Sequence, residues 1–406
     1  MATAEPAQVS VGDVGQQGAH AGKVADHYNK LQETGLAART QSRIFYLRNF
    51  NNWIKSMAIS EVLKKLRTDK GSECKLSVLD LCSGKGGDLL KWRKGHISSL
   101  VCADIAATSV EQCESRFKEM LERSKRERYP DPVFGAQFIA ADCTKQRLKE
   151  KYTDPAKKFH LTSCQFSFHY SFESYEQADM MLRNACECLE VGGYFLGTTP
   201  DCYELVKRLR NSDTMEFSSE VYKISFRTED KHNFPLFGAK YDFFLEGVVD
   251  CPEFLVYFPA LEKMAEKYGM KLVYRKNFTE FFREQVEQND GRGLIGKMQG
   301  LEPYPADEDI DLLSKQEGAY KEAEKSLKEL QSREDNDQGD GRRRRPMKVG
   351  TLSQPEWEAA TIYCVFLFQK VEDLSGLSVP PPVEIAKPEE VKETEVKETE
   401  EVKDTE

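Results

Sequence analysis

The run from Val78 to Trp92, Val-Leu-Asp-Leu-Cys-Ser-Gly-Lys-Gly-Gly-Asp-Leu-Leu-Lys-Trp, joins an apolar β-like stretch to an amphipathic helix start through a turn of small residues. The strand ends in Asp80, and Cys82, Ser83, Gly84, Gly86 and Gly87 then bring nearly bare backbone to whatever faces the turn. The first N–H groups of the following helix have no partners within it and point the same way. This is a place for a nucleoside cofactor.

A strand-then-helix rhythm continues from there. Strands are predicted at 76–81, 99–104, 134–140, 159–165 and 193–199, with helices at 86–94, 107–126, 174–189 and 201–210 and an earlier one within Ser42–Leu66. The alternation argues for an α/β fold with a mostly parallel sheet and helices on both faces. Beyond Pro200 the rhythm loosens: strands are expected at 221–226, 241–245 and 271–274, and a helix at 253–268. A last β-run, 361–369, follows a helix ending near Trp357, and such a late strand pair is expected to enter antiparallel at the sheet edge.

The two ends read differently. Residues 1–25 lack periodicity and are expected to form a disordered leader, and 372–406, with Pro380-Pro381-Pro382 and a repeated Glu-Val-Lys-Glu-Thr-Glu, a disordered acidic tail. A polar segment at about 333–349 containing Arg342–Arg345 is expected to be a mobile loop, its arginines serving as a localisation signal or a phosphate contact. The tail holds 12 acidic and 4 basic residues, so most of the formal charge of −10 resides there and the remaining chain is near −2. A near-neutral body accommodates a basic face, for which Lys91, Arg93, Lys94, Arg116, Lys118, Arg123, Lys125, Arg126 and Arg128 are candidates. No run approaches the roughly 18 apolar residues of a membrane span, and the first residues lack a signal-peptide pattern, so an intracellular chain is expected. The 11 cysteines include no CxxC pair and read as reduced thiols, not as a disulfide frame or a metal site.

Two cofactor classes use a strand–turn–helix unit of this kind. A dinucleotide fold wants G-x-G-x-x-G, and Cys82 occupies the first glycine; the looser acid-x-G-x-G-x-G pattern of S-adenosylmethionine (AdoMet) methyltransferases fits Asp80, Cys82, Gly84 and Gly86 better. Asp104 ends the second strand, suited to ribose hydroxyls, and Asp142 ends the third, suited to an exocyclic adenine amine. Either acid alone reads as an N-cap or turn residue, but three strand-end acids in register with one glycine turn point to a site.

Five further stretches sharpen this. Tyr46–Lys55, Ser83–Asp88, Cys164–Phe172, Pro252–Phe258 and Trp357–Tyr363 closely resemble, in order, the messenger-RNA cap guanine-N7 methyltransferases, and the resemblance runs from about Asp26 to Lys370. It implies a class I AdoMet methyltransferase, a Rossmann-like fold, with a catalytic domain over 26–371. The cofactor residues it implies are Lys55, Cys82, Asp104, Asp142, Gln165 and Tyr170. Lys55 is suited to the methionine carboxylate, and Cys82 stands where the family usually has glycine or alanine. For the cap it implies Asn51, Asn52, Lys85, Lys91, Arg116, Phe166, His169, Glu253 and Tyr363. Lys85, Lys91 and Arg116 would meet the triphosphate, Glu253 the guanine N1–H and N2–H₂ donors, His169 the O6 acceptor, and the aromatics the base.

The implied reaction moves a methyl group to N7, which already carries a free lone pair, so no general base is needed and the residues act by positioning. S-adenosylhomocysteine would be the product and no metal would take part. Capped RNA would be the substrate, the nucleus the site of action, and a small activating subunit and the transcription machinery the partners. Three alternatives stand beside this: a methyltransferase for a small amine or another nucleobase, a non-catalytic cap- or RNA-binding module, and a dehydrogenase.

Overall fold

The computed structural model describes residues 22, 24, 29, 40–128, 132–335 and 347–374. The expected leader, except for residues 22 and 24, the expected tail beyond 374, and the Arg342–Arg345 run lie outside the described residues. Helix α1 (Phe45–Lys70) precedes β1 (Ser77–Leu81), α2 (Leu89–Lys94), β2 (Ser99–Asp104), α3 (Ala107–Lys125), β3 (Gly135–Ala140), β4 (Phe159–Gln165), α4 (Tyr175–Cys186) and β5 (Leu189–Pro200). Then come α5 (Cys202–Asn211), β6 (Glu216–Ser218), β7 (Tyr222–Phe226), β8 (Lys240–Leu245) and β9 (Val249–Phe254). After these follow α6 (Phe258–Glu266), β10 (Met270–Asn277), α7 (Phe278–Glu287), α8 (Asn289–Lys297), β11 (Glu302–Tyr304), α9 (Lys321–Asp335), β12 (Val349–Thr351), α10 (Gln354–Ala360) and β13 (Tyr363–Lys370).

The main sheet has the order β10-β13-β5-β4-β1-β2-β3, parallel from β5 to β3. The late pair enters as expected: β13 lies antiparallel to β5, and β10 pairs with β13 at the edge. Strand alternation sorts the core into two layers. Val78, Leu100 and Cys102 face α1, Trp92 and Phe117 on one side of the sheet, while Leu79, Leu81, Val101 and Ala103 face α4 and α6 on the other. Strand order reverses between β1 and β4, so the carboxyl ends of those two strands open the crevice in which ligands of such sheets bind. A second, antiparallel sheet, β6-β7-β8-β9, packs into the α1 layer.

Some boundaries differ from expectation. The helix expected at 86–94 starts at Leu89, because Cys82, Gly84 and Gly86 adopt positive φ (54°, 51° and 77°) and the turn continues to Asp88. The helix expected from 253 starts at Phe258: Glu253 and Phe254 belong to β9, where Glu253 pairs with Tyr241 of β8. The segment expected to be a loop at 333–349 begins inside α9 and ends in β12, and residues 336–346 between them are outside the described set.

Gly86 is the turn position that most needs glycine, since an added Cβ would lie 2.8 Å from both the Cys113 Sγ and the Leu89 side chain, at φ 77°. Gly86→Ala is therefore expected to lower stability by about 2 kcal/mol, seen as a lower urea midpoint at unchanged slope. Gly135→Ala, where nothing lies within 4 Å, serves as the control. Equal midpoints for both variants would show that the turn absorbs a side chain.

Candidate functional site

Helix α1 turns Leu47, Phe50, Ile54, Met57 and Ala58 into the core. The face offset from that stripe presents Asn51, Asn52 and Lys55 to the turn after β1. Lys55 Nζ lies 2.8 Å from Asp88 Oδ1 and 3.0 Å from Oδ2, and Lys91 Nζ of α2 lies 2.7 Å from the same Oδ1. Lys91 also donates to the Asn52 side chain. Burial pushes the Asp88 carboxyl upward, but the two ammonium groups overcome it and hold the group down at about 2. Burial in turn lowers Lys91 from its ordinary value, with Asp88 opposing. Beneath them Asp80 accepts the Trp92 indole N–H at 3.0 Å, and burial, then the charge on Asp88, pushes Asp80 up to about 8.

One wall of the cleft follows the strand ends. Asp104 Oδ2 accepts the Gly84 N–H at 2.8 Å and Oδ1 that of Ala106 at 2.9 Å, tying the turn to β2 and leaving lone pairs for further donors. Burial first, then the neighbouring Cys82, raises its carboxyl to about 6 against those two N–H bonds. Asp142 forms an Asx turn, accepting from Thr144 N at 2.9 Å and Thr144 Oγ1 at 2.6 Å. Gln165 is fixed between Ser163 Oγ and Thr198 Oγ1, both at 3.1 Å. Cys82 lines the cleft while packing against the core near Cys143 and Cys164. Its φ of 54° lies in the left-handed region that only glycine adopts without strain.

The opposite wall is aromatic. Phe166, at φ 58°, is held by hydrogen bonds from its N–H to Thr198 O and Oγ1, and its ring meets that of Tyr363 edge-on at 5.0 Å. Glu253 is 1% exposed. Its Oε2 accepts the Tyr241 hydroxyl at 2.8 Å, and its Oε1 lies 3.4 Å from the Tyr170 hydroxyl and 3.2 Å from His169 Nε2. Burial, then the facing Glu253, pushes the Tyr241 phenol well above its ordinary value, so it stays a donor.

One cleft of about 1490 Å³ joins these walls. That exceeds the roughly 300–1,000 Å³ of a single small-molecule site and suits two ligands side by side. Of the residues expected from sequence, Asn51, Asn52, Lys55, Cys82, Lys85, Asp104, Arg116, Asp142, Gln165, Phe166, Tyr170, Glu253 and Tyr363 line it. Lys91 and His169 do not: Lys91 is bound to Asp88, and His169, 1% exposed, sits beside Glu253 on the turn Phe168–Glu173. Sequence reasoning missed Tyr241, which reads as one more apolar position of an alternating strand, and Asp88, which reads as the end of a turn. The expected basic face is interleaved with acids: Arg93 pairs with Glu127, Lys118 with Glu114 and Lys125 with Glu122. All eleven cysteines are free. Among the described residues no group of three or more His, Cys, Asp or Glu is placed to hold a metal ion, and no helix is long and apolar enough to cross a membrane.

The model of the mRNA (guanine-N(7))-methyltransferase domain matches residues 14–371. The mRNA cap guanine-N(7) methyltransferase of Drosophila melanogaster is 46% identical over 357 residues, spanning 86% of this chain and 77% of its own. That of Caenorhabditis briggsae is 41% identical over 353 residues, 86% and 87% of the two chains, and one from Oryza sativa subsp. japonica is 37% identical over 352 residues, 86% and 81%.

The raised Asp104 carboxyl gives the site a pH dependence. A carboxylate accepts ribose hydroxyl donors better than a carboxylic acid does, so affinity for S-adenosylhomocysteine should fall as pH drops below about 6, by about tenfold from pH 7.5 to 5. Calorimetry across that range should show the fall, and Asp104→Asn should bind more weakly with a flatter profile. A wild-type affinity independent of pH would remove Asp104 from the cofactor contacts.

Proposed function

The chain belongs to the mRNA (guanine-N7)-methyltransferase family, and from that premise we propose that this cleft transfers a methyl group from AdoMet to N7 of the terminal guanine of 5′-capped RNA. The observation that carries the reading is the pairing, in one cleft, of a strand-end cofactor wall with a buried carboxylate surrounded by neutral donors and aromatic rings. The residues present fit the cofactor. Gly84 faces open space, with no atom within 4 Å of where a Cβ would be, and the buried Asn51 Oδ1 has no hydrogen-bond partner among the described residues. Lys55, Asp104, Asp142, Gln165 and Tyr170 would hold it together with the turn at Cys82. AdoMet supplies a methyl group on a sulfonium, an electrophile that needs no metal.

The chain's part is positioning. Glu253 takes the guanine N1–H and N2–H₂ on the lone pairs that Tyr241 and Tyr170 leave open, and the rings of Phe166 and Tyr363 limit the base to one plane. His169 stands with Nε2 3.2 Å from Glu253 Oε1, and its two buried ring nitrogens, which have no hydrogen-bond partner among the described residues, suit it to the guanine O6. Lys85 and Arg116, whose guanidinium donates to the Lys85 carbonyl at 2.8 Å, meet the triphosphate. Lys91 acts through Asp88 and Asn52. N7 keeps its lone pair throughout, so orientation and exclusion of water lower the barrier. We further assign 26–371 as the catalytic domain, with work in the nucleus on nascent transcripts and a small activating subunit and the transcription machinery as partners.

Incubation with labelled AdoMet and GpppG-capped or uncapped RNA tests the reading. Label is expected at N7 of capped RNA only; transfer to uncapped RNA or to a small amine, or binding of cap without transfer, overturns it. Glu253→Ala should abolish transfer and leave AdoMet affinity nearly intact, and an equal loss of AdoMet affinity would refute its role. Tyr241→Phe removes one donor from a buried carboxylate and should cost about 1–3 kcal/mol in kcat/KM for capped RNA. Lys85→Ala should raise the KM for capped RNA and flatten the salt dependence of RNA binding. An unchanged salt slope would exclude Lys85 as a phosphate contact.

A further inference from the structure

The cleft runs past the residues assigned to either ligand. Its lining takes in Leu90 of α2 and Glu119, Met120 and Arg123 of α3, and on α3 these recur at helical spacing with Arg116, so one face of that helix borders the cleft. The two helices are held at a set distance. Arg93 of α2 donates to both oxygens of Glu127, just past α3, at 3.1 and 2.5 Å, and to Ser124 Oγ at 3.2 Å. Arg116 ties α3 to the turn after β1 by its bond to the Lys85 carbonyl. Arg123 differs from the other cations nearby: Arg93, Lys118 and Lys125 each pair with an acid. The Arg123 side chain is exposed and has no hydrogen bond or ion pair among the described residues, and Glu127, the acid four residues on, is taken by Arg93. Two helical turns, roughly 10 Å, separate Arg123 from Arg116 on the same face. Leu90, in the same cleft, is 56% exposed.

We propose that this part of the cleft is a subsite for the first transcribed nucleotide of capped RNA, with Arg123 on the phosphate at its 3′ side and Leu90 against its base. The subsite rests on the cap reading above and extends it, because Glu253, Lys85 and Arg116 account only for the terminal guanine and the triphosphate. A guanidinium presents a planar fork of donors that matches a phosphate, and Arg123 has that fork open to the cleft. The spacing of Arg116 and Arg123 leaves room for one nucleoside between two phosphate groups. Glu119, between them on the helix, interrupts the positive charge at the level of the sugar, so the face suits phosphates separated by a nucleoside and not one longer polyphosphate. Contact with an aliphatic side chain reads no pattern of donors and acceptors. The subsite therefore accepts any of the four bases and adds affinity without sequence preference.

The full chain is assayed with AdoMet and two acceptors: the dinucleotide GpppG, which carries no phosphate on its 3′ side, and a short GpppG-capped RNA, which does. Absence of transfer to either acceptor overturns the cap reading and the subsite with it. Given transfer, the wild type should favour the capped RNA in kcat/KM, and Arg123→Ala should cut that preference about tenfold and reduce the salt slope of capped-RNA binding by about 0.7, one phosphate contact of a single strand. Leu90→Ala should lower kcat/KM about threefold for both acceptors, which share the base, and leave the preference in place. Lys118→Ala, on the same helix but outside the cleft lining and paired with Glu114, controls for bulk charge and should keep wild-type values. An unchanged preference in Arg123→Ala, whether both acceptors lose equally or neither does, would overturn the proposal. So would an equal loss of preference in Lys118→Ala, or unaltered transfer to both acceptors in Leu90→Ala.

Discussion

A single buried carboxylate ties the first long helix to the turn that follows the first strand. Asp88 stands between Lys55 of α1 and Lys91 of α2, within 3 Å of both ammonium groups, and so pins a helix from the amino-terminal end of the described chain to the turn after β1. The side chains of all three are largely out of solvent, a setting in which removing one partner of an ion pair strands the other charge at a cost of about 3–5 kcal/mol. The neighbouring acids divide their labour. Two cations hold Asp88 ionised, and Asp80 directly below, desolvated and facing that charge, is held protonated up to about pH 8, so one negative charge, not two, sits under the turn.

The main sheet then places the two proposed subsites on adjoining residues. Gln165 ends β4 on the cofactor side, and Phe166 begins the aromatic wall; both are anchored to Thr198 of β5, Gln165 through its side chain and Phe166 through its backbone. A non-glycine residue at positive φ costs backbone energy, and the paired hydrogen bonds to Thr198 offset it. The strain has a geometric use. It sets the Phe166 ring against Tyr363, on the aromatic wall of the cleft, next to Gln165.

What sequence could tell follows from what is local. The strand–turn–helix unit, the strand-end acids and the parallel order are written in short-range patterns, and the structure brings Asp104, Asp142 and Gln165 to one edge. Glu253 was identifiable as a site residue only through resemblance; its helix assignment failed because Pro252-Glu253 resembles a helix start, and β9 exists through pairing with β8, a partner visible only in three dimensions. Tyr241 was hidden for the same reason, since the Tyr241-x-Phe243-x-Leu245 alternation is that of any half-buried strand. His169 and Lys91 lie next to the lining residues without being among them, His169 3.2 Å from Glu253 and Lys91 bound to Asp88 and Asn52.

The chemistry at Glu253 bears on which base the proposed site accepts. Its carboxylate is 1% exposed and is surrounded by tyrosine hydroxyls and an imidazole, with no lysine or arginine ion pair among the described residues. Such a group gains most from a ligand that offers two adjacent N–H donors, because desolvation has already been suffered and only donors repay it. Guanine offers them at N1 and N2. Adenine turns an N1 acceptor toward the same oxygens, leaving both sides unpaired, and sites built to hydrogen-bond one partner reject an analogue lacking those donors by far larger factors than apolar pockets do. On the proposed reading, selection for guanine is a property of one desolvated carboxylate and the cross-strand tyrosine that orients it, while the wall that Asp104 ties to the sheet and Asp88 to α1 would serve the cofactor whatever the base.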